Sequence, residues 1–441
     1  MDEMTARRSP ESTARGPVRV HLASLGCAKN LVDSERLLGR LASAGALVGA
    51  TADEADVIIV NTCGFIGPAK KESVETILEY LPLKKRDRRK RLFVMGCLAE
   101  RYTDELRTEL PEVDGVFRLD QHEAIVRACG LKPDSEEDSR LLLTPSHTAY
   151  LRIADGCDNR CTYCTIPQIR GPFRSRPADE ILLEAEQLVA GGVRELTLIG
   201  QDTTSYGKDL TDPTSLSELL DRLAGIHDLR WLRLLYTHPA HFTDGLIEAY
   251  AEIFELCPYV DLPLQHLDDR ILRRMGRDVT QTQSLRLIER LRSRVPDIAL
   301  RTTFIVGFPG ESRGTFNELL RWVERIGFDH LGVFCYSAEE GTPAARMPDQ
   351  VSERAKTRRR RELMQAQQKV AFAKNRTKIG QIAEVLIDRP TDEPDFWVGR
   401  TRTQAPDVDS VTFIRGGDLR VGAFVEAQIV DLAGYDLVAQ A

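Results

Sequence analysis

Two successive runs of alternating strand and helix, followed by a switch to two-residue alternation, predict an α/β chain in three parts. These are an N-terminal parallel α/β domain, a partial (βα)6 barrel and a small C-terminal β-barrel. In the first run, Val18–Leu22, Val57–Asn61 and Leu92–Met95 are short apolar segments rich in β-branched residues. Each is followed by a small-residue turn and then a helical stretch such as Ser34–Ala44 or Pro68–Tyr80, Pro68 suiting a first helical turn. The alternation fades near Cys129. Leu131–Leu142, polar and acidic in the middle, reads as a linker.

The second run supplies six strands: Ala149–Ile153, Glu195–Ile199, Trp231–Leu235, Tyr259–Leu264, Ala299–Val306 and His330–Tyr336. Helical stretches lie between them, for example Asp179–Ala190, Ser215–Ala224, Gln281–Arg294 and Arg313–Ile326. Six βα units imply a barrel or partial barrel, with chemistry at the C-terminal strand ends. Ser352–Lys374 is a long helix rich in Arg, Glu and Gln that bridges to the last part. There Ile382–Ile387, Phe396–Arg400, Val411–Ile414 and Val421–Val430 alternate apolar and polar residues between Gly, Pro and Asp turns, the pattern of an antiparallel barrel of about five strands. The expected divisions are a disordered tail over 1–17, domains over 18–133, 143–376 and 377–441, and a linker over 134–142.

The composition, 42% hydrophobic and 29% charged over 441 residues, is that of a globular protein with a large core. No apolar run is long enough to span a bilayer, so no membrane partner is expected. The N-terminus lacks the apolar segment of a secretory signal, which leaves a cytoplasmic location as the expectation. Nine cysteines in a reducing compartment point to metal binding or thiol chemistry rather than disulfides. The net charge of −7 argues against a chain built to coat nucleic acid. The basic run Lys84–Arg91 reads as a solvated loop between a helix and a strand.

Cys157, Cys161 and Cys164 lie on one short loop, DGCDNRCTYCTIP, just after the first barrel strand. Three such thiolates can hold three irons of a cubane and leave the fourth open. A structural zinc site would need a fourth ligand, and no second Cys or His pair follows at close spacing. Cys27, Cys63 and Cys97 are dispersed, and each alone reads as a buried core thiol. Each, however, lies just past the C-terminal end of an expected parallel strand, where an open α/β sheet has its ligand crevice. Gly26, Gly64 and Gly96 adjoin them and permit close backbone approach. A second three-thiolate site follows. Cys129, Cys257 and Cys335 have no such neighbours and read as structural.

The CxxxCxxC loop after strand one of a βα barrel resembles the radical S-adenosylmethionine superfamily. With the three-cysteine N-terminal domain and the terminal barrel, the chain from about Val18 to its end resembles the methylthiotransferase family, whose last module is the TRAM domain. SLGCAKNLVDSE (Ser24–Glu35), GPFRSR (Gly171–Arg176), GQDTTSYG (Gly200–Gly207), PLQH (Pro263–His266) and RTTFIVGFPGE (Arg301–Glu311) are similar to the branch acting on a ribosomal protein. The transfer-RNA branches typically carry GRERSR, GQNV and PVQSGS. Two features depart from the family pattern: the basic run is longer than usual, and the tail is extra.

The resemblance implies two [4Fe-4S] clusters, one on Cys27, Cys63 and Cys97 and one on Cys157, Cys161 and Cys164. It implies S-adenosyl-L-methionine as methyl donor and radical source. It implies contacts to that cofactor from Gly200, Gln201 and Asp202 after strand two, Gln265 and His266 after strand four, Gly307 after strand five and Tyr336 after strand six. Some of these glycines also suit simple turns, and His266 also suits a core or helix-start position. Tyr163 resembles the family residue near the adenine; loop packing is the alternative. The implied reaction is methylthiolation of the β-carbon of an aspartate in the twelfth small-subunit ribosomal protein, on or near the ribosome. An electron donor and a sulfur source are implied as further partners, and a transfer-RNA adenosine is the alternative substrate. From Lys378 onward six basic residues face eleven acidic ones. Such a barrel would repel RNA and suit a basic protein.

Overall fold

The computed structural model describes residues 16–133, 140–211 and 214–441. The tail expected over 1–17 and the linker expected over 134–142 therefore fall largely outside the described residues. The chain divides into two compact units, Met1–Leu141 and Leu142–Ala441. Among the described residues no helix is long and apolar enough to cross a membrane.

The first unit is a five-stranded parallel sheet: β1 (Arg19–Ser24), β2 (Leu47–Val48), β3 (Val57–Thr62), β4 (Arg91–Gly96) and β5 (Gly115–Val116), in the order β2-β1-β3-β4-β5. Chain order reverses between β1 and β3, which makes their C-terminal ends the crevice of the sheet. The central strand is buried throughout because both faces are covered. Ile58 and Val60 pack with Ile77 and Leu81 on one side, while Val57 and Ile59 pack with Leu37, Leu41 and Ile125 on the other.

Helix α1 (Ala28–Ser43) begins six residues earlier than the apolar periodicity suggests, directly after Cys27, whose side chain makes no capping bond. Helix α2 (Gly67–Arg86) continues through Pro82, so Lys84, Lys85 and Arg86 form its last turn, where cations complement the helix dipole. The basic run is accordingly not a free loop. Lys84 pairs with Asp114 at 2.6 Å, Arg86 with Asp53 and Arg89 with Asp87. Lys90 donates to the carbonyls of Asp53 and Ala55, and Arg91 to those of Ala128 and Cys129.

The second unit contains six parallel strands in two sheets. One is β6 (Thr148–Arg152), β9 (Glu195–Ile199) and β10 (Trp231–Leu234); the other is β11 (Tyr259–Asp261), β12 (Ala299–Val306) and β13 (His330–Cys335). A short antiparallel pair, β7 (Ala154–Asp155) with β8 (Arg174–Ser175), flanks the cysteine loop. The seam between the sheets is closed by Tyr236 N–H on Asp261 Oδ2 and Thr237 N–H on the Asp261 carbonyl. Alternate residues such as Leu196, Leu198, Leu232, Leu234, Phe304 and Val306 form one continuous core with the covering helices. The chain ends in a closed five-stranded barrel: β14 (Ile382–Pro390), β15 (Phe396–Thr401), β16 (Thr412–Arg415), β17 (Phe424–Ala433) and β18 (Asp436–Gln440). The last of these, only five residues long with Val438 its single β-branched residue, has no counterpart in the four strands read from the sequence.

This barrel sits against the N-terminal ends of the six strands. Glu195, the first residue of β9, is wholly buried between Arg233 (3.0 Å) and Arg400 (2.7 Å). Arg400 also holds Asp388, which accepts from His147 at 2.9 Å. Asp409, 1% exposed in its side chain, receives Tyr259 Oη and pairs with Arg301 and His330. The face opposite the strands' C-terminal ends is thereby sealed.

Candidate cluster and cofactor sites

The loop after β6 is fixed from three directions. Thr162 donates its N–H to Met275 O and its hydroxyl to Arg274 O. The turn it leans on requires glycine: Gly276 has φ +68°, and a Cβ there would stand 2.4 Å from the Arg160 carbonyl oxygen. Asn159 donates through Nδ2 to Asp202 Oδ2 at 2.8 Å and lies 3.4 Å from the Cys157 sulfur. Asp202, in turn, accepts from Thr204, Ser205 and His241. Burial alone would raise the Asp202 carboxyl, but these donors hold it far below the usual carboxylate range.

Each sulfur of the loop faces an N–H group. Cys157 faces Asn159, Cys164 faces Ile166 N–H at 3.4 Å, and Cys161 faces the Arg277 guanidinium at 3.9 Å. Burial pushes the Cys164 thiol up to about 12 and the Cys157 thiol upward too, so neither is a reactive thiolate by itself. Among the described residues no three His, Cys, Asp or Glu side chains close round one point as a single metal ion requires. A cubane instead asks each thiolate for a different iron, and hydrogen bonds to its sulfurs set its potential. The donor set and the N–H groups at all three sulfurs fit such a cluster.

The expected cofactor contacts fall into two kinds. Gln201 donates to Asp155 Oδ1, but its Oε1 is buried without a partner, as is Oε1 of Gln265, a residue with φ +68°. Two orphan acceptors just past the C-terminal ends of β9 and β11 fit the ammonium and hydroxyl groups of S-adenosylmethionine. Tyr163, Phe308 and Tyr336 form an edge-to-face ladder with centroids 6.3 and 5.3 Å apart, which joins the cysteine loop to the ends of β12 and β13. Gly307 lies beside them, packed on the Lys356 stem, and Gly200 is buried against Ala154.

Asp202 and His266 are differently placed. Both Asp202 oxygens are engaged by protein donors, so it steadies the cysteine loop. His266 is 1% exposed. Its Nδ1 accepts the N–H groups of Leu267 and Asp268, and Nε2 faces Glu311 at 3.3 Å. Both ring nitrogens are spent within the protein, in a buried position ahead of the helix that Asp268 caps. Three residues outside the expected site positions emerge here, two of them within quoted motifs. Arg277 is a buried guanidinium beside Cys161, also donating to Pro263 O. Asn159 bridges loop and strand. Glu311 collects Gly307 N–H, His266 and Arg359.

In the first unit, Cys27, Cys63 and Cys97 follow β1, β3 and β4 at one edge of the sheet. Gly26 has φ +92°, and a Cβ there would lie 2.9 Å from Cys63 Cβ, so the first two cysteine loops touch. Cys97 Sγ reaches Asn30 Oδ1 at 3.3 Å. Asn30 Nδ2 donates to Leu25 O and Thr62 O, tying all three loops together. Behind them Asn61 donates to Asn30 O and Ser34 Oγ, and Ser73 clasps the Cys63 backbone. Three thiols brought to one crevice by a buried polar network, in which only Asn61 Oδ1 lacks a partner among these side chains, fit a second cluster.

Comparison with known proteins agrees with this architecture. The Radical SAM superfamily model matches residues 151–323, the TRAM domain model residues 379–441, and the model described as Uncharacterized protein family UPF0004 residues 19–118. The chain is 48% identical to "Ribosomal protein uS12 methylthiotransferase RimO" of Geobacter sulfurreducens, over 96% of this chain and 98% of that protein. It is 46% identical to the protein of the same description from Desulforamulus reducens, over 96% and 99%. Among solved structures, the radical S-adenosylmethionine methyltransferase TsrM from Kitasatospora setae aligns with a TM-score of 0.53 at 15% identity, over 72% of this chain and 73% of that one. That likeness is one of fold.

Proposed function

The chain belongs to the family of ribosomal protein uS12 methylthiotransferases, and on that premise we propose that its two cysteine triads act together to place a methylthio group on that ribosomal protein. It is a radical S-adenosylmethionine enzyme, and a [4Fe-4S] cluster and S-adenosylmethionine are the cofactors of its superfamily. The observation that carries the reading is the loop of Cys157, Cys161 and Cys164, with an N–H group at every sulfur and orphan acceptors past the ends of β9 and β11.

The target is the β-carbon of an aspartate, whose hydrogens no side chain of ordinary pKa can remove as protons. Bound at Cys157, Cys161 and Cys164, the cluster with S-adenosylmethionine supplies the 5′-deoxyadenosyl radical that this carbon requires. The protein's part is binding, orientation and exclusion of water. Asn159 and Arg277 direct donors at the ligating sulfurs. Oε1 of Gln201 and of Gln265 receive cofactor donors. The Tyr163–Phe308–Tyr336 ladder forms the dry wall for the adenine. Cys27, Cys63 and Cys97 would hold a second [4Fe-4S] cluster, which would supply the sulfur to be transferred. A one-electron reductant and a sulfide source complete the set of partners.

The test is to incubate the reconstituted enzyme with S-adenosylmethionine, a reductant and uS12. The expected product is uS12 heavier by one SCH2 unit, localised to an aspartate by fragmentation. Modification of transfer-RNA adenosine instead, with uS12 unchanged, would overturn the assignment.

A further inference from the structure

The helix Glu353–Arg376 carries nine basic and two acidic residues in a chain whose net charge is −7. Its buried face is fixed by Leu363, Ala366, Gln367 and Ala371. The inner cations are consumed: Arg359 by Glu311, Lys356 by Glu353 and Lys374 by Asp329. At 100° per residue, Arg354, Arg358, Arg361, Lys369 and Arg376 fall within an arc of about 100° on the opposite face, along roughly 33 Å of helix. All five are exposed. Only Arg358 has an ion-pair partner among the described residues, Glu362 at 3.7 Å, and that carboxylate is shared with Arg313.

We propose that this stripe docks on the phosphate backbone of ribosomal RNA beside the substrate protein. The proposal rests on the reading of uS12 as substrate, which places the enzyme's target in a ribonucleoprotein particle. Like charges held in line without counter-ions destabilise a surface unless a polyanion covers them. Four of the five are arginines, whose planar fork suits phosphate oxygens. Exposed Gln365 and Gln368 fill the gap in the stripe with further polar donors. Near its end, Phe372 meets the half-exposed ring of Tyr435 edge to face at 5.2 Å, which offers an unpaired base an aromatic surface. The stripe gives no base-specific contact. It adds affinity and orientation, as phosphate contacts do.

The test compares wild type with the triple variant Arg354→Glu, Arg361→Glu, Lys369→Glu, and with the neutral Arg354→Gln, Arg361→Gln, Lys369→Gln. Binding to small ribosomal subunits and to naked small-subunit RNA is measured against salt, beside thiolation of free uS12. Neutralising three phosphate contacts reduces the slope of log K against log salt by about 2, and affinity for both falls at least tenfold at moderate salt. Thiolation of free uS12 stays at the wild-type rate, which shows that the variants are folded. Unchanged subunit and RNA binding in both variants would overturn the proposal, as would a loss of binding to free uS12 with RNA binding intact. Failure of the wild type to thiolate uS12 at all would instead overturn the functional reading.

Discussion

At the scale of single residues, the six cysteines proposed as ligands are legible because their chemistry is local. Three cysteines within eight positions, or a cysteine at a strand end, announce themselves. Their supporting partners do not. Arg277 lies 116 positions from the sulfur it faces, and Asn159 meets Asp202 across 43. Such pairings exist only once the barrel closes. The histidine of the PLQH motif shows the converse: its position at a strand end suggested the site, and its nitrogens are spent on the backbone and Glu311. Cys161→Ala should abolish formation of 5′-deoxyadenosine, because two thiolates do not hold the cubane with its open iron. Persistent 5′-deoxyadenosine from the reconstituted variant would sink the loop assignment. Arg277→Gln should retain the cluster's iron and lower S-adenosylmethionine cleavage by about 10- to 100-fold, the usual effect of losing a supporting donor at a metal site. Wild-type cleavage would show that the guanidinium is there for packing alone.

At the scale of elements, buried strands and most helix starts are readable in the sequence, and the start of α1 is not. β3 and β4 are continuous apolar runs since both faces are covered, whereas α1 begins on a cysteine that offers no cap. β18 escaped the reading because it is only five residues long, with a single β-branched residue, Val438, and is held by pairing to β16 and β17. The β1 and β3 ends, pressed together at Gly26 and Cys63, belong to a different unit from the radical loop. Cys63→Ala should therefore lose thiolated uS12 while some uncoupled S-adenosylmethionine cleavage persists, with iron content lower by about one cluster. Gly26→Ala should resemble it, since the new methyl group meets Cys63 and the backbone is already at positive φ. Full iron content and full thiolation in both variants would remove the second cluster.

At the scale of the larger unit, the acidic balance of the terminal barrel has a meaning that counting charges does not reveal. Its excess of carboxylates suggested a surface for a basic protein. Several of them face inward instead. Glu384 takes Arg230 and Trp231, Asp388 takes His147 and Arg400, and Asp409 takes Tyr259 and Arg301. Composition cannot distinguish a charge that meets solvent from one that meets its own chain. The buried cluster has a testable pH signature. Burial alone would raise the Glu195 and Asp388 carboxyls, but Arg400 and Arg233 lower the first, and His147 and Arg400 the second, below their ordinary values. In the unfolded chain both return to about 4. The folded state thus binds fewer protons in the interval between. Their stabilisation is complete above the ordinary carboxylate value and is lost as pH falls through it toward the depressed folded values. Thermal stability should accordingly be insensitive to these groups from pH 8 to pH 5 and drop below about pH 4. Arg400→Met should destabilise the unit by about 3–5 kcal/mol at neutral pH, because it leaves two buried carboxylates short of a cation. It should also flatten the acid limb, since Glu195 and Asp388 then no longer hold depressed values. A melting curve for Arg400→Met that matches wild type from neutral pH to pH 4 would show that the barrel is held to the strand ends by its apolar contacts alone.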